Sequence, residues 1–384
     1  MKATRAEGLC RLRDFTPRMG GAYAVGRNFD TGVHADVSRL SPYVRHRLVT
    51  EREVVAAALG AGGSQKFIDE VFWRSYWKGW LQLRPGVWDA SRAEVSGAPP
   101  PGLDAAIEGR TGITCFDAWA RELSETGWLH NHARMWFASI WIFTLRLPWE
   151  LGADHFLRHL LDGDAASNTL SWRWVAGIQT RGKPYVALAE NIARFTQGRF
   201  NPVGQLDENP AAIVAPEPPP PSAFAPGDAV PAGRIALLLH EDDLHPESLG
   251  LEAAQVVGIA GLTLPGRGAP VEPAVAAFTK AAMSDALARA SLHFGATAES
   301  LAPEAVADWA ARLSVADVVM PYAPVGWVAD AMVPIEAALA ERGIRLHRVL
   351  RAWDAACWPL ATKGFFAFRE HIPALIERLT HDIP

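Results

Sequence analysis

Cysteine is scarce: Cys10, Cys115 and Cys357 are the only three in 384 residues. Lying far apart, they exclude a disulfide framework and any four-cysteine zinc or iron–sulfur site within one chain. Reduced, structural thiols are expected. Nowhere do about 18 apolar residues run uninterrupted, so no membrane-spanning helix is expected. The opening Met1-Lys2-Ala3-Thr4-Arg5-Ala6-Glu7 lacks the apolar stretch of a signal peptide, which makes the cytoplasm the expected location. There is no internal repeat. The second half has no glycine-rich phosphate loop after its first apolar run, so an independent dinucleotide site is not expected there. Charge of one sign is also lacking overall, with a net value of −5, but the halves differ. Residues 1–205 carry 25 Lys/Arg against 20 Asp/Glu, and residues 206–384 carry 12 against 22.

What is present is a globular composition, 49% hydrophobic and 21% charged, with enough apolar surface for sizeable cores. Tryptophan is abundant: 11 of the 15 fall before residue 206, more than core packing usually requires. Eight prolines between residues 206 and 231, including Pro218 to Pro221, predict an extended polyproline II linker over 206–232. Before it, over 1–205, every pattern is helical. Thr50 with Glu53 forms a capping box for a helix ending at Gly60, Ser64 caps a helix through Phe67, Val71 and Arg74, and Thr114 with Asp117 opens another. After it, over 233–384, apolar runs at 235–239, 256–260, 315–320 and 344–349 alternate with amphipathic stretches at 274–294, 303–313 and 328–342. The expected fold is therefore an all-helical domain followed by a small α/β, Rossmann-like domain with a parallel sheet. The acidic tract Glu241-Asp242-Asp243 reads as a solvated turn after the first strand.

The most specified segment is Asp162-Gly163-Asp164-Ala165-Ala166-Ser167-Asn168, followed by Trp172-Arg173-Trp174. Upstream, in order, stand Ser38-Arg39-Leu40-Ser41-Pro42-Tyr43, Glu70-Val71-Phe72-Trp73-Arg74, Gly127-Trp128-Leu129-His130-Asn131-His132-Ala133-Arg134-Met135, and Trp149. This ordered set resembles the helical FAD-binding domain of the photolyase/cryptochrome family over residues of about 5 to 205. The segment Arg234 to Leu244 is faintly similar to the opening strand of that family's α/β antenna domain, which in the family comes first and here comes second.

The resemblance implies FAD as cofactor. It makes Ser38, Leu40 and Ser41 a phosphate clamp, although Val37 stands where the family usually has threonine. Asn131 and Arg134 are placed over the flavin, Asp162 and Asp164 at its ribose and ring edge with Arg134 paired to Asp162, Asn168 at the flavin N5, and Phe67 and Arg74 on the cofactor side. It further implies a pocket for a pyrimidine dimer flipped out of damaged DNA. Trp73 and Trp174 are its walls, Glu70 the carboxyl that binds the dimer, and Asn131 with Met135 its floor. Trp172 and Trp149 match the first two members of an electron-transfer chain. The third is absent from its place around 96–106, where Trp88, Trp119 or Trp136 could substitute. Arg173, Arg181 and Lys183 are candidates for DNA phosphates. No metal is expected: His130 and His132 point to different helix faces, and His155 and His159 lack a third ligand. Three readings follow from the resemblance, the broadest being a flavoprotein that uses the same scaffold for other chemistry. Another is light-driven repair of cyclobutane dimers by a monomer. The third is a cryptochrome-like blue-light receptor acting through a signalling partner.

Overall fold

A computed structural model describes residues 1–96 and 98–380; Gly97, within the stretch searched for a third relay tryptophan, and the terminal 381–384 lie outside it. The helical part contains α1 (Arg5–Phe15), α2 (Gly21–Gly26), α3 (Ser41–Arg45), α4 (Glu51–Gly60), α5 (Gln65–Gln82) and α6 (Gly86–Ala93). It continues with α7 (Leu103–Ile107), α8 (Thr114–Thr126), α9 (Asn131–Ser139), α10 (Trp149–His159), α11 (Ala165–Val175) and α12 (Ala189–Phe195). The local signals act as expected at two starts. Thr50 and Glu53 close a reciprocal capping box at α4, and the Ser64 hydroxyl accepts from the Phe67 N–H at α5. At α8 the expectation is corrected. Ile113 is the N-cap, and the Asp117 carboxylate turns back to accept from the N–H groups of Thr111 and Gly112. Asp117 thus satisfies the preceding glycine turn instead of its own helix end.

The sheet is parallel throughout, in the order β3-β2-β1-β4-β5, from β1 (Gly233–Leu239), β2 (Ala254–Leu262), β3 (Ala298–Leu301), β4 (Asp317–Pro321) and β5 (Arg345–Val349). Helices α13 (Pro273–Phe294), α14 (Val306–Arg312) and α15 (Trp327–Ala340) are its crossovers, and α16 (Ala352–Cys357), α17 (Phe365–Arg369) and α18 (Ile372–Thr380) finish the chain. Ile235 to Leu239 are all buried, as a central strand covered on both faces requires. The linker carries no helix or strand but does not hang free. Ser222 donates to Leu83 O, Arg84 donates to Pro219 O, and Phe224 packs edge-on against Trp358.

Two apolar cores result. One lies within the helical part, among α8 to α12; the other runs without a break from α1, α4 and α5 into the sheet and α16 to α18. Between sheet and helices lies the acidic tract, and here the sequence expectation is wrong. Glu241, Asp242 and Asp243 are all buried, Asp243 to 1% exposure. Arg45 reaches Glu241 and Asp242, each at 2.7 Å; Arg47 binds Asp243 at 3.1 Å, Asp354 at 2.7 Å and Glu51 at 3.3 Å; Arg351 donates to Asp243 at 2.7 Å. The tract is dry because α3 and the turn after it deliver arginines some 196 residues upstream in sequence. The adjoining crevice between the carboxyl ends of β1 and β4, where open α/β sheets take ligands, is filled by Lys78, Asp164, Ala165 and Ala166 against Asp242 and Pro324 to Trp327.

Removing one partner of such a lattice strands the others without counter-charge. Arg47→Met is expected to cost about 3–5 kcal/mol of unfolding free energy, read from urea denaturation; a loss below about 1 kcal/mol refutes this account. A pH effect follows from the buried imidazoles. Burial, opposed by Asp30 and Glu247 respectively, pulls His130 and His245 down to about 4. The unfolded chain therefore binds more protons than the folded one between about pH 6.5 and 4. Stability is complete above that window and falls as the pH drops through it, by up to about 1.4 kcal/mol per unit for each histidine. Urea midpoints that stay level from pH 7 to pH 5 contradict it.

Candidate functional site

A cavity of about 560 Å³ opens between the two cores. Helical periodicity builds its walls. Phe67, Glu70, Val71, Arg74 and Trp77 share one face of α5; Asn131, Arg134, Met135 and Ala138 one face of α9; Asn168, Ser171, Trp172 and Val175 one face of α11. The turn carrying Ser38, Leu40 and Ser41 closes one end, and the Leu160–Asp164 loop another. Of the residues singled out from sequence, Ser38, Leu40, Ser41, Phe67, Glu70, Trp73, Arg74, Asn131, Arg134, Met135, Asp162, Asp164, Asn168, Trp172 and Trp174 all line this one cavity, and Trp149 does not.

Arg134 holds Asp162 through two parallel bonds, Nη1 to Oδ1 at 3.0 Å and Nη2 to Oδ2 at 2.8 Å. Burial pushes the Asp162 carboxyl upward, but Arg134 and the Ser41 hydroxyl outweigh it and hold the group below its ordinary range. Asp164 is opposed in the same way, burial against Arg74 at 3.1 Å and Lys78 at 3.8 Å, and it too stays ionised while accepting from the Ser167 N–H as N-cap of α11. The Asn168 amide donates to Ala153 O at 2.8 Å, which fixes its orientation. At the Ser38 turn, Arg39 adopts φ 52°, uncommon for a residue with a Cβ, with its guanidinium 4.7 Å above Trp128.

Glu70 is not free. It forms an ion pair with Arg27, a residue that sequence reasoning missed; nothing local marks a partner 43 positions upstream. Burial raises the Glu70 pKa, and Arg27 only partly offsets it. His132 was also missed as a lining residue. Its ring stacks on Trp136 at 4.1 Å, and its two nitrogens face Asn28 O and the Tyr185 hydroxyl, both at 3.0 Å.

Among the 11 tryptophans before residue 206, only Trp73 and Trp174 retain partial exposure, and both line the cavity. Each is backed by another ring: Trp73 by Phe365 at 3.6 Å and 11°, Trp174 by Tyr185 at 5.4 Å and 28°. The remaining indoles account for the tryptophan count as core. Trp119, Trp136 and Trp88 are buried and bond Asp30, Asn191 and Asp330 through Nε1, so none of them is a surface residue. Trp149 is buried at the start of α10 beneath the Arg173 guanidinium, 5.8 Å away. Arg181 pairs with Glu217 of the linker, while Lys183 is exposed.

A polar cofactor fits this lining. The Ser167 hydroxyl is buried without a hydrogen-bond partner on a residue that faces the cavity, and Arg74 on the same lining keeps its Nε 3.5 Å from Glu51. The seat of Trp172 depends on Gly152, where a Cβ would come within 2.3 Å of the indole. Gly152→Ala is expected to shift the ring, cost about 1–3 kcal/mol and change the near-ultraviolet circular dichroism; an unchanged spectrum and urea midpoint refute it.

Comparison with known proteins follows the same geometry. Residues 67–209 match the family described as the FAD binding domain of DNA photolyase. A deoxyribodipyrimidine photo-lyase of Streptomyces griseus is 39% identical over 155 residues, 38% of this chain and 33% of that protein. Those of Vibrio cholerae and Escherichia coli are 30% identical over 208 residues and 31% over 195, covering 51% and 46% of this chain and 42% and 40% of theirs. The chain thus spans less than half the length of these curated relatives. The segment at 67–209, within the helical part, is thus a photolyase-type FAD-binding domain.

Proposed function

We propose that the protein is a light-driven DNA-repair flavoprotein that splits cyclobutane pyrimidine dimers. The observation that carries this reading is the pair of partly exposed indoles, Trp73 and Trp174, on the wall of a cavity that also holds Glu70. A dimer inside a duplex is out of reach of any buried group, so it must be flipped out and received by flat apolar surfaces. Trp73 and Trp174 stack its bases, at about 1–3 kcal/mol per base, and their backing rings keep them from folding away. Glu70, with its raised pKa, donates a hydrogen bond to a dimer carbonyl when protonated. Ser38, Leu40 and Ser41 hold the cofactor phosphates, with Phe67 and Arg74 beside them. Asn131 and Met135 form the floor. Arg134 with Asp162, Asp164 and Asn168 fix charge and hydrogen bonding at the ring. When bound and reduced, FAD supplies the electron that light sends to the dimer. Trp172 and Trp149 relay electrons toward the cavity. In this reading residues 1–205 are the cofactor and substrate domain, 206–232 the linker and 233–384 the supporting α/β domain of a monomer.

The relatives named deoxyribodipyrimidine photo-lyase support the assignment. One observation favours the blue-light receptor: the Arg27 guanidinium already engages Glu70. The test is a defined oligonucleotide with one thymine dimer, illuminated with the reduced, FAD-loaded chain and with Glu70→Ala. Light-dependent recovery of thymines that falls at least about tenfold in the variant is expected, the cost of losing one hydrogen bond that strengthens in the transition state. Photoreduction of the flavin with no repair by the unmodified chain overturns the lyase and leaves the receptor.

A further inference from the structure

Arg267 sits on the turn after β2, far from the matched segment in sequence, and is 2% exposed. Among the described residues its guanidinium meets no carboxylate at hydrogen-bond distance; Glu241 is 3.6 Å away. Instead it donates to three backbone carbonyls within five residues of the chain: Nη1 to Leu157 O at 3.1 Å and Leu160 O at 2.7 Å, Nη2 to Leu161 O at 3.5 Å. Leu157 O belongs to the last turn of α10, where helix carbonyls lack an intrahelical partner and a cation meets the negative end of the helix dipole; Leu160 O also accepts from the Gly163 N–H, and Leu161 lies just past the helix. The next residue is Asp162. Arg45 Nε donates to Gly163 O at 2.6 Å, and both guanidinium groups lie over Trp327, at 5.2 and 5.6 Å. The glycine of the Asp-Gly-Asp segment gains its reason here. A Cβ at Gly163 would stand 2.4 Å from Arg267 Nη1, an atom pinned by two of those carbonyls.

We propose that Arg267 is a positioning residue for the cofactor loop: from the α/β half it sets where Asp162 and Asp164 stand in the cavity wall, so that FAD affinity depends on it. This rests on the cavity being the FAD site. Its charge persists at neutral pH, since burial and Arg45 bring its pKa down only to about 10. A guanidinium buried without a bonded carboxylate is costly to keep, and here its hydrogen bonds go to the backbone that carries the two acids.

The experiment uses the full chain with Arg267→Met and Arg267→Lys. FAD affinity is followed by flavin fluorescence, the environment of the ring by the vibronic structure of its absorption, and the loop by hydrogen exchange of the cofactor-free protein. Arg267→Met is expected to weaken FAD binding about tenfold, as loss of a residue supporting direct ligands does. It should also blur the vibronic bands and speed exchange at Gly163 and Ser167 while β1 and β4 exchange as before. Arg267→Lys, which keeps the charge and some donors, recovers part of the affinity. Unchanged affinity and loop exchange in Arg267→Met overturn the proposal. If Arg267→Met does not fold, Arg267→Lys decides: intermediate affinity supports the clamp and full affinity overturns it. If the unmodified chain takes up no FAD, the reading of the cavity falls, and exchange at Gly163 alone then judges the clamp, faster exchange supporting it and no change overturning it.

Discussion

Everything between the helices and the sheet depends on one exchange of charge. The carboxyl end of β1 runs straight into Glu241, Asp242 and Asp243, and a strand buried on both faces cannot end in three carboxylates unless cations meet them. Arg45 and Arg47 from the helical part, with Arg351 from the end of β5, meet that need. Such pairs add little net stability compared with an apolar interface of the same shape. Their effect is directional. Each arginine reaches its acid in only one placement of the halves, so the lattice fixes how helices and sheet are seated.

The cavity inherits that seating. Asp164 faces the cavity and also touches Lys78 and Arg74, and its neighbours Ala165 and Ala166 press on the crevice at the ends of β1 and β4. Trp73, on the far wall, is held by Phe365 from α17. Two walls of a site whose lining comes wholly from the helical part are therefore braced by residues beyond the linker, which a reading confined to the matched residues 67–209 would not find.

How much of this was legible in the sequence depended on distance along the chain. The box of Thr50 and Glu53, the Ser64 cap and the apolar runs that became β1, β2, β4 and β5 are local and were readable. β3 was not: Ala298-Glu299-Ser300-Leu301 is a four-residue edge strand whose two polar residues stay exposed, so no apolar run announces it. The cavity residues were legible as a set through the family resemblance of their motifs, and they converge because three helices carry many of them at three- and four-residue spacing. Arg27 and Arg267 were not, because an arginine advertises nothing until its partner is known. For the same reason three acids in a row read as solvated, when their counter-charges lie almost two hundred residues earlier.

The filled crevice carries a consequence for the sheet itself. Its strand order reverses between β1 and β4, which leaves a cleft at their carboxyl ends where open sheets of this kind take up small molecules. Here Gly326 faces Ala165 across it, and only about 10 Å³ remains free. The cleft has become a socket whose resident is the first turn of α11. Any small molecule entering it would have to unseat that turn, and with it Asp164 and the neighbouring Asp162 of the cavity wall. By thermodynamic linkage such a visitor and any ligand that needs those carboxylates in place would be antagonists, each weakening the other by the same factor.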